Sequence, residues 1–138
     1  MPMKRSVRLE WSGEGMRFSG HGTDPRTPPI DIDAENGQAP GPMMVLLLAV
    51  AACSGSDVVD ILKKMRLTLT GLTVDVDGTR RDEEPRRFTA IHLKYTASGK
   101  DLDLAKVRRA AALSIEKHCS VIHSLAPDIK VTTDVALA

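Results

Sequence analysis

Cys53 and Cys119 are the only cysteines in this chain, and they are the residues best suited to covalent chemistry. Both fall in apolar surroundings. Cys53 ends an unbroken run that begins at Met43, and Cys119 lies on a stripe with Leu104, Val107, Ala111, Ile115 and Ile122. A buried cysteine is often no more than a small hydrophobe. Two that meet inside a fold can do more. One thiolate attacks a peroxide oxygen and becomes a sulfenic acid, and the other condenses with it to a disulfide. The attacking sulfur needs a lowered pKa, which a helix N-terminus or a nearby cation supplies. The pair is far too widely spaced for a CxxC redox motif. On the residues alone, both readings stand.

Other chemistries find less. A metal site assembled from Cys53, Cys119, His118 and His123 has no zinc-ligand spacing. His118 and Cys119 are also adjacent, so a helix would point them about 100° apart. His123, four residues beyond Cys119, is better placed to join it. No GxSxG is present, and Ser54-Gly55-Ser56 is not a strand-to-helix elbow. His21 and His92 are isolated and read as exposed polar residues. The arginine pairs at 80–81, 86–87 and 108–109 read as solvated faces. No resident metal or cofactor is expected.

Composition bounds the partners. A chain of 138 residues with 42% hydrophobic and 27% charged residues reads as one soluble domain, 1–138, with a core of its own. Aromatics are only 3% and net charge is +1, so there is neither a stacking platform nor a basic field for nucleic acid. The N-terminal segment MPMKRSVRLEW carries no apolar region behind its positive charge and does not read as a signal peptide. The run Met43–Cys53 is shorter than the roughly 20 residues of a membrane span. A cytoplasmic protein with reduced thiols and no membrane partner is the expectation.

The elements that must position the cysteines follow from periodicity. Ser6–Trp11, Met16–Phe18 and Ile30–Asp33 alternate as short strands, the first two joined by the turn Ser12–Gly15. Gly41-Pro42 opens a long helix that ends near Lys63, Lys64 and Arg66. Its first half is apolar on all sides, so the rest of the chain or a second copy must surround it. Gly55 either kinks this helix, which would put Cys53 near a fresh N-terminus, or lets it pack closely. Strands follow at Leu67–Asp77 and Phe88–Ala97, joined by the charged hairpin tip Gly78–Arg87. A second helix spans Asp101–Ser124, capped by Asp101 and Asp103, and a last strand spans Ile129–Leu137. The order βββ-α-ββ-α-β predicts an α+β domain with antiparallel sheets.

Two segments now stand out: A-A-C-S-x-x-D-V-V-x-I-L-K-K around Cys53, and K-H-C-S-V around Cys119. With R-R-x-E-x-P-R-x-F-T at Arg80–Thr89 and G-x-D-L at Gly99, the chain resembles the OsmC/Ohr family of osmotically inducible and organic hydroperoxide resistance proteins, closest to its YhfA-like branch. The resemblance spans nearly the whole chain. It implies an intertwined homodimer with the two long helices central and an active site at each interface. It also implies thiol-dependent reduction of organic hydroperoxides, with a dithiol reductant of lipoyl type. Carried over, Cys53 matches the peroxidatic cysteine and Cys119 the resolving one. Arg17 matches the arginine that stabilises the thiolate, with Arg26 as runner-up.

One position departs from the pattern. Family members place a glutamate after the helix-opening proline to hold that arginine, and this chain has Met43 there, followed by Met44. Asp33 and Glu35 are the nearest carboxylates that could replace it. The alternative implied by this loss is a non-catalytic protein of the same fold, binding an apolar small molecule beside Met43 and Met44 at the dimer interface.

Overall fold

Alternating residues in the first third of the chain form three strands, β1 (Arg8–Trp11), β2 (Arg17–His21) and β3 (Ile30–Asp33). The structure is a computed structural model that describes residues 2–138. It forms two compact units, one ending at Leu46 and the other spanning Leu47–Ala138. In the first, β1-β2-β3 make an antiparallel sheet in which Trp11 pairs with Phe18 and Arg17 with Asp33. The β1–β2 turn is fixed by positive-φ Gly13 and Gly15 and by the Trp11 indole donating to the Gly15 carbonyl at 3.0 Å. The strand β2 runs on past Phe18, because Ser19 and Gly20 find partners in both neighbours. His21 is therefore in a strand, 3.2 Å from Glu10 Oε1, and not isolated.

The alternation of β1 does not bring burial within this chain. Leu9 and Trp11 are more than half exposed. The loop after β3 is organised by Asp33, which is buried; its carboxylate accepts from the backbone N–H groups of Glu35 and Gln38 at 2.9 and 2.8 Å. Those two bonds, more than the charge of Arg17 across the sheet, hold Asp33 below the usual carboxylate range. Asp33 is thus committed to its loop, and adds only a long-range partner for Arg17.

The long helix is α1 (Pro42–Lys64), and it is continuous through Gly55. No kink forms, so no fresh helix N-terminus stands beside Cys53. The small residue serves close packing instead: a Cβ at Gly55 would lie 3.4 Å from Val74 Cγ2. Val50, Ser54, Gly55, Val58 and Leu62 form its buried face. At its end Arg66 takes φ +64°, and the Leu67 N–H reaches the Leu62 carbonyl at 3.0 Å, a Schellman closure. That turn delays the next strand, so Leu67–Thr70 stays outside it. The full helix has a mean hydropathy of 2.0 over 18 residues, enough by length and composition to cross a membrane, although Met43–Cys53 alone falls short. Core helices of soluble proteins pass the same test.

The second unit packs α1 on a sheet of β4 (Gly71–Arg80), β5 (Phe88–Ser98) and β6 (Lys130–Leu137), in that order. β4 and β5 pair antiparallel, but β5 and β6 pair parallel, so this sheet is mixed and not antiparallel throughout. The reason is the helical segment between β5 and β6, which crosses over the sheet and returns the chain in the same direction. Ile91, Leu93, Tyr95 and Ala97 line the fully buried side of β5. A register shift between Thr79 and Arg80 breaks the alternation at the start of β5, and Phe88 is buried as well.

The predicted second helix is broken. It divides into α2 (Leu104–Leu113), a π-helical turn at Ser114–His118 and a short α3 (Ser120–His123). Asp103 caps α2, its carboxylate accepting from Ala105 N at 2.9 Å, whereas Asp101 takes a positive φ and does not cap. Gly99 shows how tightly the strand-to-helix turn is drawn, since a Cβ there would overlap the Thr68 carbonyl oxygen. Backbone cannot yield as a side chain can. Gly99→Ala is therefore expected to cost about 3 kcal/mol, read as a drop of about 10 °C in the thermal midpoint.

Candidate active site

Three side chains converge at one place. Cys53 and Asp57 are four residues apart on α1 and so share a side of the helix. Cys119 comes to them from the π-helical turn. Its N–H donates to the Ser114 carbonyl at 2.7 Å, a bond to the fifth residue back. In an ordinary α-helix, residues five apart point about 140° away from each other. The wider turn lets Ser114 and Cys119 both face inward, and both are fully buried. Cys119 itself is extended, with φ −69° and ψ 99°, and is not on a helical stripe as its spacing suggested. The two sulfurs and one Asp57 carboxylate oxygen lie within 4.8 Å of one another. Both cysteines are free thiols, Cys53 half-buried and Cys119 buried.

A chain of hydroxyls fixes this cluster from behind. Ser114 Oγ donates to Asp57 Oδ2 at 2.8 Å. Its proton being spent there, Ser114 must accept from Ser54 Oγ, 2.8 Å away, and Ser54 must in turn accept from the Tyr95 hydroxyl at 2.6 Å. The network runs in one direction, from Tyr95 on β5 to the Asp57 carboxylate. Among the described residues no buried side-chain polar atom lacks a partner, which is what such a network needs to stabilise rather than penalise the fold.

The electrostatics separate the two sulfurs. Burial, above all, pushes the Cys119 thiol up to about 11, with Cys53 and Asp57 adding to the rise and the Ile122 backbone N–H opposing it. Burial likewise raises Tyr95, against its hydrogen bond to Ser54. Cys119 is therefore a protonated, enclosed thiol near neutral pH, and Cys53 is the sulfur that solvent reaches. In the native protein at pH 8, iodoacetamide is expected to alkylate Cys53 and spare Cys119. Raising the pH toward 11 should bring Cys119 into reaction, as peptide mass spectrometry would read.

Each remaining sequence candidate has its own surroundings. Arg17 opens β2, exposed and across from Asp33. Arg26 is held by Asp24, its guanidinium 2.8 Å from the carboxylate, and is 89% exposed. His118 is exposed, and His123 Nε2 lies 3.0 Å from the Ile115 carbonyl. His92 Nδ1 lies 2.6 Å from Thr132 Oγ1. None of these histidines joins the cysteine cluster. Asp57 does, and the sequence carried a signal for it, the four-residue step from Cys53. Ser54, Ser114 and Tyr95 carried none, because Ser54 meets Tyr95 only through the packing of α1 on β5 and Ser114 joins them only through the π turn.

The chain and its fold have counterparts among known proteins. The family described as OsmC-like protein matches residues 35–134. The chain is 40% identical over 127 residues to the protein YhfA of Escherichia coli K12, covering 91% of this chain and 92% of that one. A crystal structure of a hypothetical protein from Aquifex aeolicus is similar at 30% identity and a TM-score of 0.83, covering 99% of both chains. The organic hydroperoxide resistance protein OhrB of Bacillus subtilis shares the fold, with a TM-score of 0.61 at 18% identity, covering 99% of this chain and 98% of that one.

Proposed function

This chain belongs to the OsmC-like family, and we propose that within it the chain is a homodimeric, cytoplasmic cysteine peroxidase that reduces organic hydroperoxides. The observation that carries this reading is the approach of Cys53 and Cys119 to within 4.8 Å, one sulfur reachable and the other enclosed. The name of the Bacillus protein, an organic hydroperoxide resistance protein, supplies the substrate class.

The steps balance as follows. Cys53, as thiolate, attacks the terminal oxygen of R–O–OH. The O–O bond breaks, Cys53 becomes a sulfenic acid, and the departing alkoxide takes a proton to leave as an alcohol. Cys119 then attacks the sulfenic sulfur, forming a Cys53–Cys119 disulfide and releasing water. Asp57 is placed to take the Cys119 proton and return it to the departing hydroxide, and the Ser114 bond steadies that carboxylate. A small dithiol, of lipoyl type, reduces the disulfide and leaves as its own disulfide. Arg17 is the proposed cation for the Cys53 thiolate, with Asp33 as its distant counter-charge in place of the glutamate that Met43 replaces.

One equivalent of cumene hydroperoxide added to reduced protein should produce a Cys53–Cys119 disulfide stoichiometrically, seen as one linked peptide pair by mass spectrometry. Two free thiols beside unconsumed peroxide would overturn the reading.

A further inference from the structure

The same cluster has a second chemistry that does not depend on peroxide. We propose that the reduced protein binds one divalent cation of the zinc type through Cys53 Sγ, Cys119 Sγ and a carboxylate oxygen of Asp57. Zinc takes thiolate at about 2.3 Å and carboxylate oxygen at about 2.0–2.2 Å in a tetrahedron, so its ligands stand roughly 3.5–3.8 Å apart. The three donor atoms here already lie within 4.8 Å of one another. A shift of about 1 Å closes the set around an ion.

Three further features fit this use. The ligands come from two elements, α1 and the segment just after the π turn, so the ion would clip them together. Asp57 Oδ2 accepts from Ser114 Oγ, and Ser114 is itself anchored through Ser54 to Tyr95. Metal-binding carboxylates are oriented by partners of this kind. Two thiolates and one carboxylate give a soft, anionic set that favours zinc over magnesium or calcium. Three protein ligands leave the fourth position to water.

Binding converts two thiols to thiolates and so releases two protons per ion. It also excludes the disulfide, because neither sulfur can be both ligand and half of a bridge. The ion would hold the pair reduced and unreactive.

The test uses the full chain, reduced and anaerobic, titrated with Co²⁺ as a spectroscopic stand-in and then with Zn²⁺. The expected result is thiolate-to-cobalt charge-transfer absorption saturating at one ion per chain and abolished by stoichiometric Zn²⁺. Cys53→Ser and Cys119→Ser should each lose that absorption. Ser114→Ala keeps all three ligands and should weaken binding about 10–100-fold, the usual effect of removing a ligand's orienting partner. In the unmutated protein, one equivalent of Zn²⁺ should protect Cys53 from iodoacetamide, which keeps the proposal testable if a variant fails to fold. Cobalt binding that survives in either cysteine variant, or a Cys53 alkylated equally fast with zinc present, would overturn it. The disulfide-forming activity would stand in either case, since it is measured without metal.

Discussion

Cys53→Ser is expected to reduce hydroperoxide consumption by about 10³-fold or more, the scale seen when a catalytic nucleophile is removed. The variant should fold normally. Cys53 is half-buried and is replaced by a residue of nearly the same size. Cys119→Ser should behave differently. Its first turnover would still produce a sulfenic acid at Cys53, but nothing enclosed would then condense with it. Excess peroxide would carry Cys53 on to the sulfinic acid, which is not reversed by thiols. The pair of variants separates the two roles: one lacks the first chemical step and the other lacks only its rescue. A Cys53→Ser protein that still consumed cumene hydroperoxide at the unmutated rate would end the peroxidase reading, while leaving the fold and family untouched. The assay is peroxide loss with a dithiol reductant in excess.

How much of this was legible beforehand differs by element. The strands β1 to β5 and the long helix announced themselves through alternation, Gly41-Pro42 and the terminal lysines. These are local signals, and the backbone obeys them. The break at Ser114–Cys119 gave no such notice. Leu104, Val107, Ala111, Ile115, Cys119 and Ile122 keep a faultless helical spacing, and no glycine or proline interrupts it. The turn opens because Ser114 and Cys119 both find partners inside, in Asp57, Ser54 and Cys53, and those partners are distant in sequence. The parallel pairing of β6 was hidden for a similar reason, since alternation fixes a strand but not its direction. Asp57 lay between the two cases. Its four-residue step from Cys53 is a local signal, but it became a site residue only once α1 proved continuous and the π turn brought Cys119 to it. The cysteine pair was the reverse: spacing allowed two inert hydrophobes, and only the fold brought the sulfurs together.

Leu48→Glu is expected to turn the proposed dimer into a monomer, raising its dissociation constant by about 10³-fold or more, because a carboxylate buried at an interface without a partner costs several kcal/mol. The argument rests on the side of α1 that this chain leaves uncovered. Met44, Leu48 and Val59 are 52%, 57% and 45% exposed, and their spacing puts them on one stripe with Ala52 and Ser56. Only 28% of the helix's most apolar window is buried. An open groove of about 580 Å³, lined in part by Ala52, Gly55, Val59, Leu72 and Val74, runs beside the same stripe. A helix apolar on this side gains little by facing water, and a second copy presenting the same stripe would cover it with two-fold symmetry. Leu48 is the better probe than Val50 or Leu62, which lie in the core, since a glutamate at an exposed helical position leaves the monomer's packing intact. Sedimentation of the unmutated protein should give twice the 14.9 kDa chain mass, and Leu48→Glu a single chain of unchanged helical content. If both sediment as dimers, the stripe is not the interface. If the unmutated protein is already a monomer, the exposed stripe must be covered by something other than its own copy, and the homodimer falls with it.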